Sequence, residues 1–455
     1  TGKEIIMKKK MITLLLAGIM AFSLSACGET QDTNEDKKET NADTETTPQA
    51  EKTEDDKNTL MVWAWDQNFN IYAMKEAEKI YQKNHPDFKL DIVELTSGDV
   101  ETKIATAALA DDTSILPDIF LLQDHTYQKF LESYPDIFSD LSDSGIPFDQ
   151  FSESKVAESM KDGKNYAVPF DNGACVAAYR TDILADAGLS LDDFTDITWS
   201  KFIELGKQVK EKTGISLLSG NGGSPELVMM MMRSTGATAF HDDGSVNMVD
   251  NESLRAAMNV YIELVQKGIL TEVTDWDQYV GSFNSGSAAC AINGCWISGS
   301  IQGAEDQSGK WGITNMPALD NIKGATNYSS NGGSSWAVSS TSKNPDLAVD
   351  FLGKTFAGSV ELYETILPKS GALATWLPMK DSDVYNEGQE YYGGQAVYAD
   401  IVGFAEKVPV SVRGTYYYDA VDAVGVAVSN IIQTGADFES ELKQAQDTVA
   451  FNMNN

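Results

Sequence analysis

The chain has 455 residues and carries 34 Lys and Arg against 68 Asp and Glu, a formal net charge of −34. So acidic a surface argues against nucleic acid or anionic lipid as a partner, since both repel it at contact range. Four cysteines and three histidines, with no H-E-x-x-H spacing, support neither a disulfide framework nor a metal site, and no cofactor is expected.

At the N-terminus, Lys8, Lys9 and Lys10 precede an apolar run from Met11 to Leu24. That order of charge and then hydrocarbon predicts a secretory signal peptide over residues 1–26, too short for a membrane span. Residues 1–6 fit neither part of a leader, and translation from Met7 is the reading that accounts for them. Leu24-Ser25-Ala26-Cys27 resembles a bacterial lipobox, in which Cys27 becomes the lipidated N-terminus.

From Gly28 to Asn58 there are eleven acidic residues and four lysines, with little more than two alanines as apolar side chains. Such a segment cannot bury enough surface to offset chain entropy, so residues 27–58 are expected to form a disordered acidic tether. Its typical reach, ~30 Å for a flexible chain of this length, would lift a domain off a membrane.

The folded part opens with "TLMVWAW", apolar on both alternating faces, as a strand between two helical layers reads. A helix follows with Ile71, Met74, Ala77 and Tyr81 on one face; "FKLDIVEL" is a second strand, "GDVETKIATAALA" a second helix and "LPDIFLLQD" a third strand. Strands alternating with amphipathic helices predict an α/β lobe with a mainly parallel sheet. In such sheets the ligand crevice lies beyond the carboxyl ends of the strands. Trp65 and Asp66 close the first strand and Asp124 closes the third, so both acids belong to one rim; helix capping is the competing role for each.

Farther along, "GKNYAVPFDNGACVAAYRTDILADAGL" has a Pro and a Gly inside an apolar stretch and is read as a passage between lobes. "ITWSKFIELGKQVKEKTG" and "SLRAAMNVYIELVQKG" are helices closed by glycine. Met229 to Met232 form a run read as core filling, and "HDDGSVNM" as a turn centred on Asp-Gly. "SSNGGSSWAVSS" runs straight into an apolar strand, so its glycines mark a close backbone approach and not a phosphate cradle. Cys175, Cys290 and Cys295 are read as small buried hydrophobes.

Three of these stretches carry a resemblance: "NYAVPFDNGACVAAYRTDILADAGL", "FNSGSAACAINGCWISGSI" and "NGGSSWAVSSTSKNPDLAVDFLGKTFAG". In order and spacing they are similar to the extracellular solute-binding proteins of ABC importers, in the carbohydrate-binding group that includes maltose-binding protein. The resemblance implies two α/β lobes joined by hinge crossings near Pro169–Gly173, Met316–Asp320 and Ser370–Trp376. The lobes would comprise residues 59–170 with 318–374, and 171–317 with 375–455.

The resemblance also implies an interlobe sugar site. It assigns Trp296 of Asn-Gly-x-Trp as a stacking platform, Asp66, Asp124 and Asp171 as hydroxyl acceptors, and Arg413 with Tyr417 from "VRGTYYYDAVDAV" as a donor and a second aromatic. Trp65, Glu226 and Trp276 complete the candidates. The implied function is a monomeric, non-catalytic lipoprotein that binds an oligosaccharide and delivers it to a permease, touching the membrane only through its anchor. The competing reading is a surface glycoside hydrolase using a carboxylate pair.

Overall fold

A computed structural model describes residues 57–454 except Asn68 and Ser224. The expected leader, the lipidation of Cys27 and nearly all of the tether lie outside the described residues. Among the described residues, no helix is long and apolar enough to cross a membrane.

In the first lobe, β1 (Thr59–Ala64), α1 (Asn70–Gln82), β2 (Lys89–Glu94), α2 (Ser97–Leu109) and β3 (Ile119–Gln123) follow the predicted alternation. The pairs β1–β2 and β1–β3 are parallel. Leu60, Val62 and Ala64 of β1 turn to one core, and Trp63 to a second core on the opposite face with Phe120 and Leu122. Both faces are therefore covered, as the continuous apolar pattern requires. After a short helix α3 (Glu153–Glu158), strand β4 (Ala167–Pro169) leads out of the lobe.

In the second lobe come β5 (Cys175–Arg180), α4 (Trp199–Thr213), β6 (Leu218–Asn221), α5 (Glu226–Arg233), α6 (Glu252–Gln266), β7 (Leu270–Val273), α7 (Trp276–Asn284), β8 (Cys290–Gly294), α8 (Ile297–Gln302) and β9 (Trp311–Thr314). Glycine closes α4 as predicted, with Gly214 in the left-handed region. All four methionines of α5 are buried, as are the three thiols, which are free. The Asp-Gly turn forms, with Gly244 N–H donating to His241 O.

The chain then returns to the first sheet through β10 (Ser334–Val338), followed by α9 (Pro345–Lys354) and α10 (Val360–Ser370), which packs on α1. It ends in the second lobe with α11 (Val397–Ala405), α12 (Tyr417–Thr434) and α13 (Phe438–Met453).

The two sheets share one pattern. The first has the order β2-β1-β3-β10-β4, with β10 antiparallel to both β3 and β4. In the second, β7 and β6 are parallel, a parallel bridge from Ser216 to Ala288 joins β6 to the start of β8, and β5 is antiparallel to both β8 and β9. Each sheet is thus parallel in one half and antiparallel in the other, which qualifies the mainly parallel expectation. The cause is the crossing itself. Parallel strands end at the cleft, so a strand arriving from the other lobe starts at the cleft and must run the opposite way.

Three crossing segments lie side by side. Asn172 N–H donates to Leu373 O, Asp171 bridges Ala374, and Asn331 N–H donates to Gly173 O. Two of these are the crossings expected near Pro169–Gly173 and Ser370–Trp376. The stretch around Met316–Asp320 is not one. Ala318 exchanges hydrogen bonds with Ile197 and Trp199, and Thr326 N–H donates to Ser234 O, so residues 318–329 pack on the second lobe. The chain crosses back at residues 330–333.

Candidate functional site

The carboxyl end of β1 turns sharply into α1. Asn70, fully buried, accepts hydrogen bonds at Oδ1 from the N–H groups of Trp65 and Asp66, both at 3.1 Å. Asp66 Oδ1 in turn accepts from Phe69 N–H at 3.0 Å, so it closes the turn ahead of α1 while staying exposed at the rim. The helix-capping role anticipated for Asp66 is not what it performs, since the cap position of α1 is Phe69 with no side-chain cap bond, and the same turn leaves the Trp65 ring half-exposed.

Opposite, β8 ends at Gly294 and delivers Trp296. The indole Nε1–H donates to Asn331 O at 2.9 Å. A Cβ at Gly294 would stand 2.3 Å from that Nε1 and 2.3 Å from Asn331 O, and one at Gly332, whose φ is +73°, would stand 2.7 Å from Nε1. Both positions need glycine because the nitrogen side of the indole lies against their backbones. The tryptophan of Asn-Gly-x-Trp is therefore held rigidly, half-exposed. Trp276, first residue of α7, is 43% exposed and lies 5.9 Å from Trp296, ring centre to ring centre, at 38°. Asp275 caps α7 by accepting from Gln278 N–H, which fixes where Trp276 stands.

Between these rims lies a cleft of about 610 Å³, lined by Trp65, Asp66 and Phe69 from the first lobe and Trp276, Trp296 and Ser300 from the second. That volume suits a small ligand. Asp171, at a crossing, reaches the same cleft; its Oδ1 accepts from Ser334 N–H at 2.8 Å and from the Ser334 hydroxyl. Burial raises the Asp171 carboxyl above its ordinary range, with Lys155 and the Ser334 hydrogen bonds opposing. The cleft thus brings together Trp65, Asp66, Asp171, Trp276 and Trp296.

Glu226 stands apart, in a recess of about 60 Å³ on the far side of Trp276, with Asn221 and Asn293. It reaches solvent, yet the surrounding protein raises its carboxyl and a hydrogen bond from Asn331 opposes that. Asp124 and Arg413 line a third space, of about 30 Å³, which meets the main cleft only at Gly332. Asp124 is 3% exposed, paired with Lys155, and accepts the Ser335 hydroxyl at 2.9 Å. Arg413 is also 3% exposed, with its guanidinium 5.6 Å from the centre of the Tyr417 ring. The neighbouring Tyr418 hydroxyl meets His125 Nε2 across the lobes.

Some lining residues went unnoticed in the sequence. Lys369, near the end of α10, borders the cleft with its ammonium 4.4 Å from the centre of the Tyr72 ring. Asn70, which braces the β1 turn, reads in sequence as an ordinary first helical residue. Glu158, Lys155 and Arg233 lie in amphipathic or apolar stretches whose charges look solvated, yet each is at most 7% exposed. Among the described residues, no group of three or more His, Cys, Asp or Glu is arranged to hold a metal ion.

Residues 76–388 match the family described as bacterial extracellular solute-binding protein. A lactose-binding protein of Rhizobium radiobacter is 36% identical over 86% of this chain and 92% of its own length. An arabinooligosaccharide-binding protein of Halalkalibacterium halodurans is 24% identical over 74% of this chain and 77% of its own. Among solved structures, a galacto-N-biose-/lacto-N-biose I-binding protein of an ABC transporter from Bifidobacterium longum superposes with a TM-score of 0.71 at 16% identity, covering 87% of this chain and 97% of that one.

Proposed function

Because the chain belongs to the bacterial extracellular solute-binding proteins, we propose that it captures an oligosaccharide between its lobes and delivers it to the permease of an ABC importer. The observation that supports this reading is the cleft, with an indole on the first rim, two on the second, and carboxylates on the first rim and at the crossing. Flat apolar rings suit the C–H faces of a pyranose, and carboxylates accept its hydroxyl hydrogens. The kinship to a lactose-binding protein favours a galactoside as ligand.

In this reading Trp65, Asp66, Asp171, Trp276 and Trp296 touch the sugar, and Glu226 receives a group that passes Trp276. Asp124, Arg413 and Tyr417 complete the pocket floor when the lobes approach. The first lobe comprises residues 59–170 and 331–374, and the second residues 171–330 and 375–455. The leader ends before Cys27, whose lipid holds the protein at the outer face of a membrane, on an architecture suited to a Gram-positive surface. A hydrolase is less favoured, because Asp66 is bonded to the Phe69 N–H of its own turn and Asp171 to Ser334, which leaves neither poised as acid or nucleophile.

The test is a thermal-shift panel of lactose, galactobioses, arabino-oligosaccharides and gluco-oligosaccharides. A ligand at 100 times its dissociation constant adds ~2.7 kcal/mol of stability. One sharp response, with the sugar recovered intact, carries the proposal. A response to peptides or amino acids alone, or release of monosaccharide, defeats it.

A further inference from the structure

Glu158 ends α3 in the first lobe, yet its partners are in the second. Its Oε1 accepts from Arg233 Nη2 at 3.2 Å and lies 3.7 Å from Arg413 Nη1. Arg233 is also tied to the crossing at residue 330, through Nη1 to Ser330 O at 2.8 Å and Nη2 to Ser330 Oγ at 2.7 Å. All three side chains are at most 5% exposed.

The charges divide by lobe. Asp124, Lys155 and Glu158 leave the first lobe's share negative, whereas Arg233 and Arg413 make the second lobe's share doubly positive. The negative share is compensated only when the lobes meet, and the five groups together keep one positive charge. The pairing is also incomplete, for Glu158 Oε2, Arg233 Nε and both Nε and Nη1 of Arg413 lack hydrogen-bond partners, so Arg413 meets Glu158 through charge alone. A buried ion pair formed that loosely offsets its own desolvation only in part.

We propose that Glu158, gripped by Arg233 and Arg413, is an interlobe clasp that sets sugar affinity and residence time without touching the sugar. It is a positioning residue, and the inference rests on the reading that the cleft closes over a ligand. Because the clasp is nearly balanced, it biases the closed form without locking it, and ligand contacts complete the closure.

The experiment places spin labels at Leu109→Cys and Lys443→Cys, one exposed position on each lobe, and measures distance distributions with and without lactose. Lactose titration and dissociation rates are measured on the same proteins. Glu158→Gln keeps the shape and removes the charge. The expected result is a longer ligand-free distance, affinity weakened about tenfold, and that loss expressed in the dissociation rate. Arg233→Gln should act likewise, and the double variant should lose less than the two single losses combined.

Unchanged distances in Glu158→Gln overturn the clasp, whether or not affinity changes. If Glu158→Gln does not fold, Arg233→Gln carries the same reading. If no sugar binds the parent protein, the functional reading fails, but the ligand-free distances still decide the clasp: longer in the variant supports it, identical overturns it.

Discussion

The two lobes repeat one arrangement of strands but bring ends from different places in it to the cleft, β1 in the first sheet and β8, the counterpart of β3, in the second. In the first, the strand end at the cleft runs into a polar turn where Asn70 and Asp66 spend their hydrogen bonds on the backbone. In the second, the strand end delivers an indole pressed against two glycine backbones, with a second indole beside it. The first rim is built by hydrogen bonds that hold a helix start, the second by steric fit that holds a ring. Topology fixes where a side chain can meet a ligand, and the residue there fixes what it does.

The contrast is broken most severely at Gly294. An alanine there drives its methyl into Asn331 O, a backbone atom that cannot swing aside. Gly294→Ala should cost about 3 kcal/mol of stability and abolish sugar binding by displacing Trp296, read from urea unfolding and titration. An unchanged unfolding midpoint would mean that the ring is not fixed by that backbone.

The contrast is sharpened by removing one indole from each rim. Trp296→Ala should weaken binding about 100-fold, or ~2.7 kcal/mol, and Trp65→Ala about tenfold. Equal losses would show that both rims stack on the ligand alike and that rigidity at Trp296 adds nothing.

The smallest effect is a pH dependence where the lobes meet. Burial, with Arg413 and Arg233 nearby, holds the His125 imidazole well below its ordinary pKa, so the associated lobes favour its neutral form. Stability from this group is complete above its ordinary value of 6.5 and is lost as pH falls from there toward the depressed value. Glu158 and Asp171, raised by burial, act in the opposite sense above the ordinary carboxylate range. The comparison therefore has to be with His125→Gln, in which both carboxyls remain. Melting temperature should fall more between pH 7 and pH 5.5 in the parent than in the variant; parallel curves would remove His125 from the account.

Much of this was legible in the chain because it depends on local pattern. The β1–α1–β2–α2–β3 alternation, the buried methionine run and the glycine stop at Gly214 follow from periodicity and backbone preference. Trp65 and Asp66 could be placed on a rim because they stand just past a strand end, whereas Trp296 was reached only through the resemblance carried by Asn-Gly-x-Trp. Strand direction in the antiparallel halves was not, since it depends on which lobe a strand comes from. The crossing placed near Met316–Asp320 failed for a related reason: the segment looks like a connector, but Ala318 pairs with residues beside Thr198, far back in sequence. Ion pairs such as Glu158–Arg233, 75 residues apart, leave no trace in either helix.

The position of β10 also bears on how the molecule comes into being. It lies between β3 and β4, although it is synthesised after every strand of the other sheet. Until it emerges, β3 keeps an unpaired edge and β4 has no neighbour, so the N-terminal half of the chain cannot finish its own sheet. Long-range pairing of this kind slows folding. For a family whose members act outside the cell, the delay keeps the chain loosely structured until most of it has been made, a form suited to threading through a narrow export channel.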